Sequence, residues 1–293
     1  MKRRSLFAMV PATSVLLALK SEGKAIEKAA LTPAGFCISV QAWSFKEFTL
    51  MEAIEKASQA GASGIEMYPG QTLGGSFRDA KVGPDMPDDQ IKAVLDQAKK
   101  FNITPVNFGV CGISKNEAEA RKTFEFAKKL GLYGVTTESL DALDTLEKLA
   151  KEYDLKVCFH NHPKPDNPLW NPDTVWNAIQ DRHENIGYCA DVGHWVTSGL
   201  DPLTIVKKIG SRIRSFHMKD REAAGTPTAD PHVWYHDRPY GTGVVDIPGI
   251  LDEARKLGFA GNVSIEYEYN WKESLPEIAQ CVGFLRGYAR IKA

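Results

Sequence analysis

The chain has 293 residues, 43% of them hydrophobic and 25% charged, the balance of an ordinary globular protein with a sizeable core. Its formal net charge of -1 offers no general attraction for polyanions, and no run of lysine and arginine forms a basic stripe, which argues against nucleic-acid binding. Five scattered cysteines (Cys37, Cys111, Cys158, Cys189, Cys281), free of CxxC spacing, exclude a disulfide framework and a thiolate zinc site and are expected as buried thiols.

The first segment, "MKRRSLFAMVPATSVLLALK", joins a basic start to an apolar stretch from Leu6 to Leu19, too short to span a bilayer comfortably. Residues 1–30 are expected to be an export leader, with Arg3-Arg4 before Leu6-Phe7 as a twin-arginine signal and the periplasm as destination. Pro11 interrupts the stretch, and the competing expectation is an N-terminal helix packed on the domain of a cytoplasmic protein. No later segment is long and apolar enough to cross a membrane.

Beyond residue 35 short apolar strands alternate with amphipathic helices, the beat of parallel βα units. "FCISVQAW" reads as a strand and "TLMEAIEKASQAG" as a helix closed by Gly61. "SGIEMY" is the next strand, before a Gly/Pro/Asp-rich loop from Pro69 to Pro87 and the helix "DDQIKAVLDQAKKF". "ITPVNFGV" is followed by the helix "NEAEARKTFEFAKKLG", and "YGVTTES" by the helix "LDTLEKLAKEY". The second half repeats the pattern. "LKVCFHNH" leads to "PDTVWNAIQDR", with Pro172 in its first turn, and "IGYCADV" to "DPLTIVKKIG", capped by Asp201. "IRSFHMKD" opens a long loop from Arg221 to Gly243, then come "DIPGILDEARKLG", "NVSIEYEY" and the last helix, "LPEIAQCVGFLRGYARI". Eight strands and eight helices in strict alternation predict a single-domain α/β fold, a (β/α)8 TIM barrel over residues 36–290. An open doubly wound sheet is disfavoured, since "SVQAWSF" carries no Gly-rich dinucleotide turn.

In such a barrel the chemistry gathers at the C-terminal ends of the strands. Those ends carry Gln41 and Trp43, Glu66, Asn107, Glu138, His160 and His162, Asp191 with His194 beyond it, His217 with Lys219 and Asp220, and Glu266 with Glu268. Strand alternation puts Cys158, His160 and His162 on one face, and likewise Cys189 with Asp191, Ser215 with His217, and Ser264 with Glu266 and Glu268, while Val157, Phe159, Val263 and Ile265 face the helices. Carboxylates buried together without a counter-charge cost several kcal/mol, on the order of the penalty for unpaired ions. One divalent cation held by Glu138, Asp191, His217 and Glu266 removes that cost. The mixed oxygen and nitrogen donors suit manganese, zinc, cobalt or magnesium.

"GIEMYP", "TTES", "HNH", "ADVGHW", "SFHMKDR", "GTGVVDIPGIL" and "SIEYE" occur in an order and spacing that resembles the xylose-isomerase-like barrel superfamily. That group includes sugar epimerases, hydroxypyruvate isomerases, inosose dehydratases and apurinic endonucleases. The resemblance implies Glu138, Asp191, His217 and Glu266 as metal ligands, His162 and His194 as substrate-contacting or proton-handling groups, and Glu66 as a substrate contact. One departure stands out: in "RPYGTGVVD", Thr242 replaces an acidic residue common in relatives.

The first expectation is a metal-dependent sugar isomerase or epimerase acting through an enediolate, with Glu138 and Glu266 passing a proton at the carbon next to a carbonyl. His162, His194 and Lys219 would serve the hydroxyls or the enediolate, with Glu66, Trp43, Asn107 and His160 lining the substrate site. Trp170, Trp195, Trp234 and Trp271 join Trp43 as sugar-stacking faces or as core. A lyase or dehydratase acting on a 3-keto-glycoside or inosose shares the first step. A phosphodiesterase would need more histidines than the seven present. A non-enzymatic sugar-binding barrel is the remaining reading, and homo-oligomerisation stays open.

Overall fold

The computed structural model describes residues 26–165, 167–223 and 236–293. Most of the expected leader, as well as His232 and Trp234, lies outside the described residues.

The strands are β1 (Cys37–Gln41), β2 (Gly64–Met67), β3 (Thr104–Cys111), β4 (Gly134–Thr137), β5 (Lys156–His160), β6 (Ile186–Asp191), β7 (Ile213–Met218), β8 (Asp220–Arg221), β9 (Asp237–Arg238) and β10 (Asn262–Ile265). Eight of them close a parallel barrel in the order β1-β10-β7-β6-β5-β4-β3-β2, and β8 and β9 form a two-stranded antiparallel hairpin beside it. The expected TIM barrel is the fold of the chain.

The helices are α1 (Leu50–Gln59), α2 (Asp88–Lys100), α3 (Glu117–Lys129), α4 (Leu143–Tyr153), α5 (Pro172–Ile179), α6 (Val192–Thr197), α7 (Pro202–Ile209), α8 (Ile247–Lys256) and α9 (Leu275–Ile291). Local chemistry starts them. Thr49 and Glu52 form a reciprocal capping box on α1, and the Asp201 carboxylate accepts from Leu203 and Thr204 N–H at the head of α7. Val157, Phe159, Val263 and Ile265 are fully buried in the core cluster shared with the helices, as period-2 alternation predicts.

Two details differ from the sequence reading. The sixth strand stops at Asp191, and Val192 already belongs to an additional helix, α6, so the alternation is not strict. The cause is the Asp191 side chain, whose Oδ1 accepts the His194 N–H at 2.7 Å and turns the chain into a helix. The second, fourth, fifth, seventh and last barrel strands are also shorter than read, leaving Glu138, His162, Lys219, Glu266 and Glu268 just past strand ends. There the pleat no longer dictates which way a side chain points.

At the base of the barrel, Ile26 and Ala30 are buried against Cys37, Val106 and Tyr133. A protein beginning at Ile26 is therefore expected to be more stable than one beginning at Leu31, by about 2–3 kcal/mol for the lost apolar burial. Equal urea midpoints for the two truncations would show that this plug contributes nothing. Among the described residues no helix is long and apolar enough to cross a membrane.

Candidate active site

β5, β6 and β7 end side by side, in register His160 to Cys189 and Asp191 to His217, while β10 delivers Glu266 one residue past its end. Closure of the barrel thereby brings ligand atoms of His160, Asp191, His217 and Glu266, all buried, within 4.8 Å of one another. His217 lies between two carboxylates, Nε2 at 3.1 Å from Glu66 and Nδ1 at 3.1 Å from Glu266. Burial opposes its charged form, but Cys189, Glu266 and Glu66 more than offset this and lift it well above the usual imidazole range. Asp191 Oδ2 sits 3.5 Å from both His160 Nε2 and His194 Nε2. Burial alone would raise the Asp191 carboxyl, yet His194, Lys219 and His160 hold it well below the carboxylate range.

Asp191 is braced from behind. Asn161 donates to its carbonyl at 3.0 Å and accepts from its N–H at 2.9 Å, a two-way clamp that fixes the residue's backbone. Asn161 is the middle residue of "HNH", and nothing in the sequence singles it out.

Lys219 is fully buried. Its ammonium lies 3.0 Å from Asp191, 2.9 Å from Glu266 and 2.5 Å from Glu268. Arg221 adds a contact to Glu268 at 3.0 Å and one to Asp237 at 3.2 Å. Gly193 makes room for this arrangement: a Cβ there would stand 2.6 Å from Arg221 Nε and 2.7 Å from Lys219 Cβ. Gly193→Ala is expected to cost about 1–3 kcal/mol, the range for overpacking a filled core. A melting temperature unchanged from wild type would refute that close fit.

Asp220 belongs to the rim hairpin. Its carboxylate accepts the N–H groups of Gly241, Gly243 and Val245 at 2.9–3.0 Å and so builds the "PYGTGVV" corner. A Cβ on Gly243 would fall 2.2 Å from Asp220 Oδ1. At this corner the Thr242 hydroxyl donates to the Pro239 carbonyl at 2.7 Å.

Glu138 is turned to a second group. Its Oε1 lies 2.8 Å from His160 Nδ1 and 2.6 Å from His162 Nδ1, while Oε2 accepts from Asn167 at 2.6 Å. Burial would raise this carboxyl, but the hydrogen bonds from His160 and His162 dominate and hold it at about 2. Asn167 is a second residue without a sequence signal. His160 joins the two groups, offering one ring nitrogen to each. His194 is pushed well below the imidazole range by burial, which Asp191 only partly offsets.

These groups open into a cavity of about 270 Å³ lined by Gln41, Trp43, Tyr68, His160, His162, His194, Glu266 and Glu268, among others. Trp43 meets Tyr68 edge-on at 5.1 Å between ring centres, and Lys46 lies 4.9 Å from the Trp43 ring and 3.5 Å from Trp271. Trp195 is wholly buried and belongs to the core, while Trp170 sits under Lys164 at 4.1 Å. Glu66 and Asn107 are buried beneath the site, both linked to the Thr136 hydroxyl at 2.7 and 3.5 Å. A larger cavity of about 700 Å³ lies at the strand starts, lined by Ser63, Thr104 and Arg286 but by no histidine.

The donor set fits a divalent cation. His160 Nε2, Asp191 Oδ2, both His217 ring nitrogens and Glu266 Oε2 are buried and meet one another, Glu66 and Lys219 as ion pairs at 2.9–3.5 Å, without a well-formed hydrogen bond. The carboxylates Glu66, Asp191, Glu266 and Glu268 also outnumber Lys219, Arg221 and the His217 imidazole, the groups they pair with. Two imidazoles and two carboxylates suit zinc, manganese or cobalt.

The family model described as "Xylose isomerase-like TIM barrel" matches residues 54–287. An inosose dehydratase of Clostridium beijerinckii is 31% identical over 84 residues, 28% of this chain and 28% of that enzyme. An inosose isomerase of Bacillus subtilis is 26% identical over 137 residues, 45% of this chain and 47% of that enzyme. The chain thus spans under half the length of these relatives. The crystal structure of an uncharacterized protein of Parabacteroides distasonis is 33% identical with a TM-score of 0.68, covering 86% of this chain and 99% of that one.

Proposed function

Because the chain belongs to the xylose isomerase-like TIM barrel family, we propose that it is a divalent-metal-dependent sugar isomerase or epimerase, which removes a proton from the carbon next to a carbonyl. The observation that carries this reading is the meeting of His160, Asp191, His217 and Glu266, of which His160 and Glu266 line the cavity. Asp191, His217 and Glu266 would hold the ion, with His160 as the fourth donor and Glu138 turned toward His162 and Asn167. When bound, such an ion polarises a substrate carbonyl and acidifies the neighbouring C–H.

The protein's own groups then move the proton. His162 lines the cavity, and its Nδ1 faces Glu138, which leaves Nε2 for the substrate. This carboxylate–imidazole pair is suited to accept a proton on one side of the carbon, with Glu266 on the cavity wall to return it. His162→Gln is expected to slow α-proton exchange by about 10²–10⁴-fold while metal content, read by elemental analysis, is retained. Full exchange in the variant would assign the proton to another group.

The similarity to an inosose dehydratase supports a second reading. The same proton removal would be followed by loss of a β-substituent, making the enzyme a lyase or dehydratase. The test is incubation of metal-loaded protein in D2O with aldoses, ketoses, inososes and 3-keto-glycosides, followed by NMR. Deuterium at the α-carbon is expected, and the product separates isomerisation from elimination. No exchange with any sugar, together with nicking of abasic DNA, would overturn both readings.

A further inference from the structure

Glu66 is fully buried and takes no part in the wall of the cavity that Trp43 lines. A contact with substrate, the role the resemblance implies for it, needs an exposed atom. A carboxylate wholly removed from water must also be compensated by a partner. Among the described residues Glu66 forms one ion pair, Oε1 to His217 Nε2 at 3.1 Å.

That pair crosses the barrel interior. Glu66 lies on β2 and His217 on β7, with β1 and β10 between them in the closed sheet. A third strand fixes the carboxylate: the Thr136 hydroxyl on β4 donates to the same Oε1 at 2.7 Å, and the Asn107 amide donates to that hydroxyl at 3.5 Å. Glu66 stands outside the group of His160, Asp191, His217 and Glu266, whose ligand atoms lie within 4.8 Å of one another. It is placed behind the imidazole.

The two ring nitrogens of His217 therefore have different neighbours. Nδ1 is 3.1 Å from Glu266 Oε2, itself a donor of the metal group, and Nε2 faces Glu66. The charge of Glu266 Oε2 is shared with Lys219 at 2.9 Å, whereas that of Glu66 goes to the imidazole. The Cys189 thiol beside the ring is pushed up to about 11 by burial and brings no charge. The 3.1 Å contact is an ion pair without a well-formed hydrogen bond, so Glu66 supplies negative charge at a fixed position. In a metal-bound histidine, the partner of one nitrogen decides which nitrogen holds the ion. An anion at Nε2 keeps the proton there and leaves the Nδ1 lone pair free, and it makes the ring a stronger donor.

We infer that Glu66 is a positioning residue of the metal site: it holds the proton of His217 on Nε2, directs Nδ1 at the ion and does not touch substrate. The inference rests on the metal reading above and deepens it.

The test uses the full chain and the metal alone. Cobalt affinity, titrated against a chromophoric chelator, is compared between wild type and Glu66→Gln, which keeps the volume and removes the charge. It is expected to fall about 10–100-fold, the range for loss of an outer-shell partner. Nitrogen NMR of the imidazoles in zinc-loaded wild type should place the His217 proton on Nε2 and the zinc on Nδ1. That second measurement depends on no variant and reads the position of the proton, which a merely structural role for Glu66 would not fix. Wild-type cobalt affinity in Glu66→Gln overturns the inference, and so does a His217 proton on Nδ1. The two levels separate: a wild-type chain that binds neither cobalt nor zinc sinks the metal reading and this inference with it, whereas equal binding by wild type and variant sinks the inference alone.

Discussion

Asp191→Asn is expected to leave a folded protein that no longer holds a divalent ion. Asparagine caps a helix as well as aspartate does, so the hydrogen bond from His194 N–H that starts α6 can persist. The Asn161 clamp acts on the backbone of residue 191 and is untouched by the change. What is lost is the charge at Oδ2, the atom that faces His160, His194 and Lys219. Loss of an outer-shell partner already weakens metal binding by about 10–100-fold, and loss of a direct donor is expected to exceed the upper end. Rate should fall with it by about a thousandfold, since carbonyl polarisation is worth several kcal/mol in a transition state. Elemental analysis after dialysis and α-proton exchange in D2O check the two parts. A variant that retains one equivalent of metal would remove Asp191 from the ligand set.

Lys219→Met is expected to produce the largest loss of stability. Methionine keeps most of the volume of the buried side chain but leaves Asp191 and Glu266 without their ammonium partner, and Glu268 with Arg221 alone. Removing one member of a buried ionic network costs about 3–5 kcal/mol. That is a large part of the about 5–15 kcal/mol that holds a domain together. The sign of the metal dependence follows from the same account. In chelator the variant should show the full loss, and saturating manganese or zinc should restore part of it by supplying positive charge to the same carboxylates. Urea denaturation under both conditions measures this. A loss below about 1 kcal/mol in chelator would mean that the carboxylates are neutralised in some other way.

Much of this site is readable along the chain because strand ends and helix caps are local. Glu66, Asp191 and His217 fall at or near the ends of apolar runs, and the barrel rule turns those ends into one rim. Pro172 and the Asp201–Pro202 pair announce their helices for the same reason, a short-range match between residue type and backbone geometry. Asp191 itself was legible as a site residue but not as the cap that ends β6, although a carboxylate followed three residues later by a helical N–H is a local signal.

Other relations involve residues that are far apart in sequence or that have left the sheet. Glu138 lies past the end of β4, where Asn167, His160 and His162 decide its direction. Lys219 reads as a rim lysine, yet Gly193 on α6 lets the helix close over it and three carboxylates draw it inward. The order of residue types along the chain therefore determined the alternating elements, the parallel barrel and the end at which acids and imidazoles collect. Tertiary structure alone decided that His160, and not Glu138, joins Asp191, His217 and Glu266, and which charges are buried, since those outcomes depend on loop paths and pairwise Coulomb contacts that no local pattern encodes.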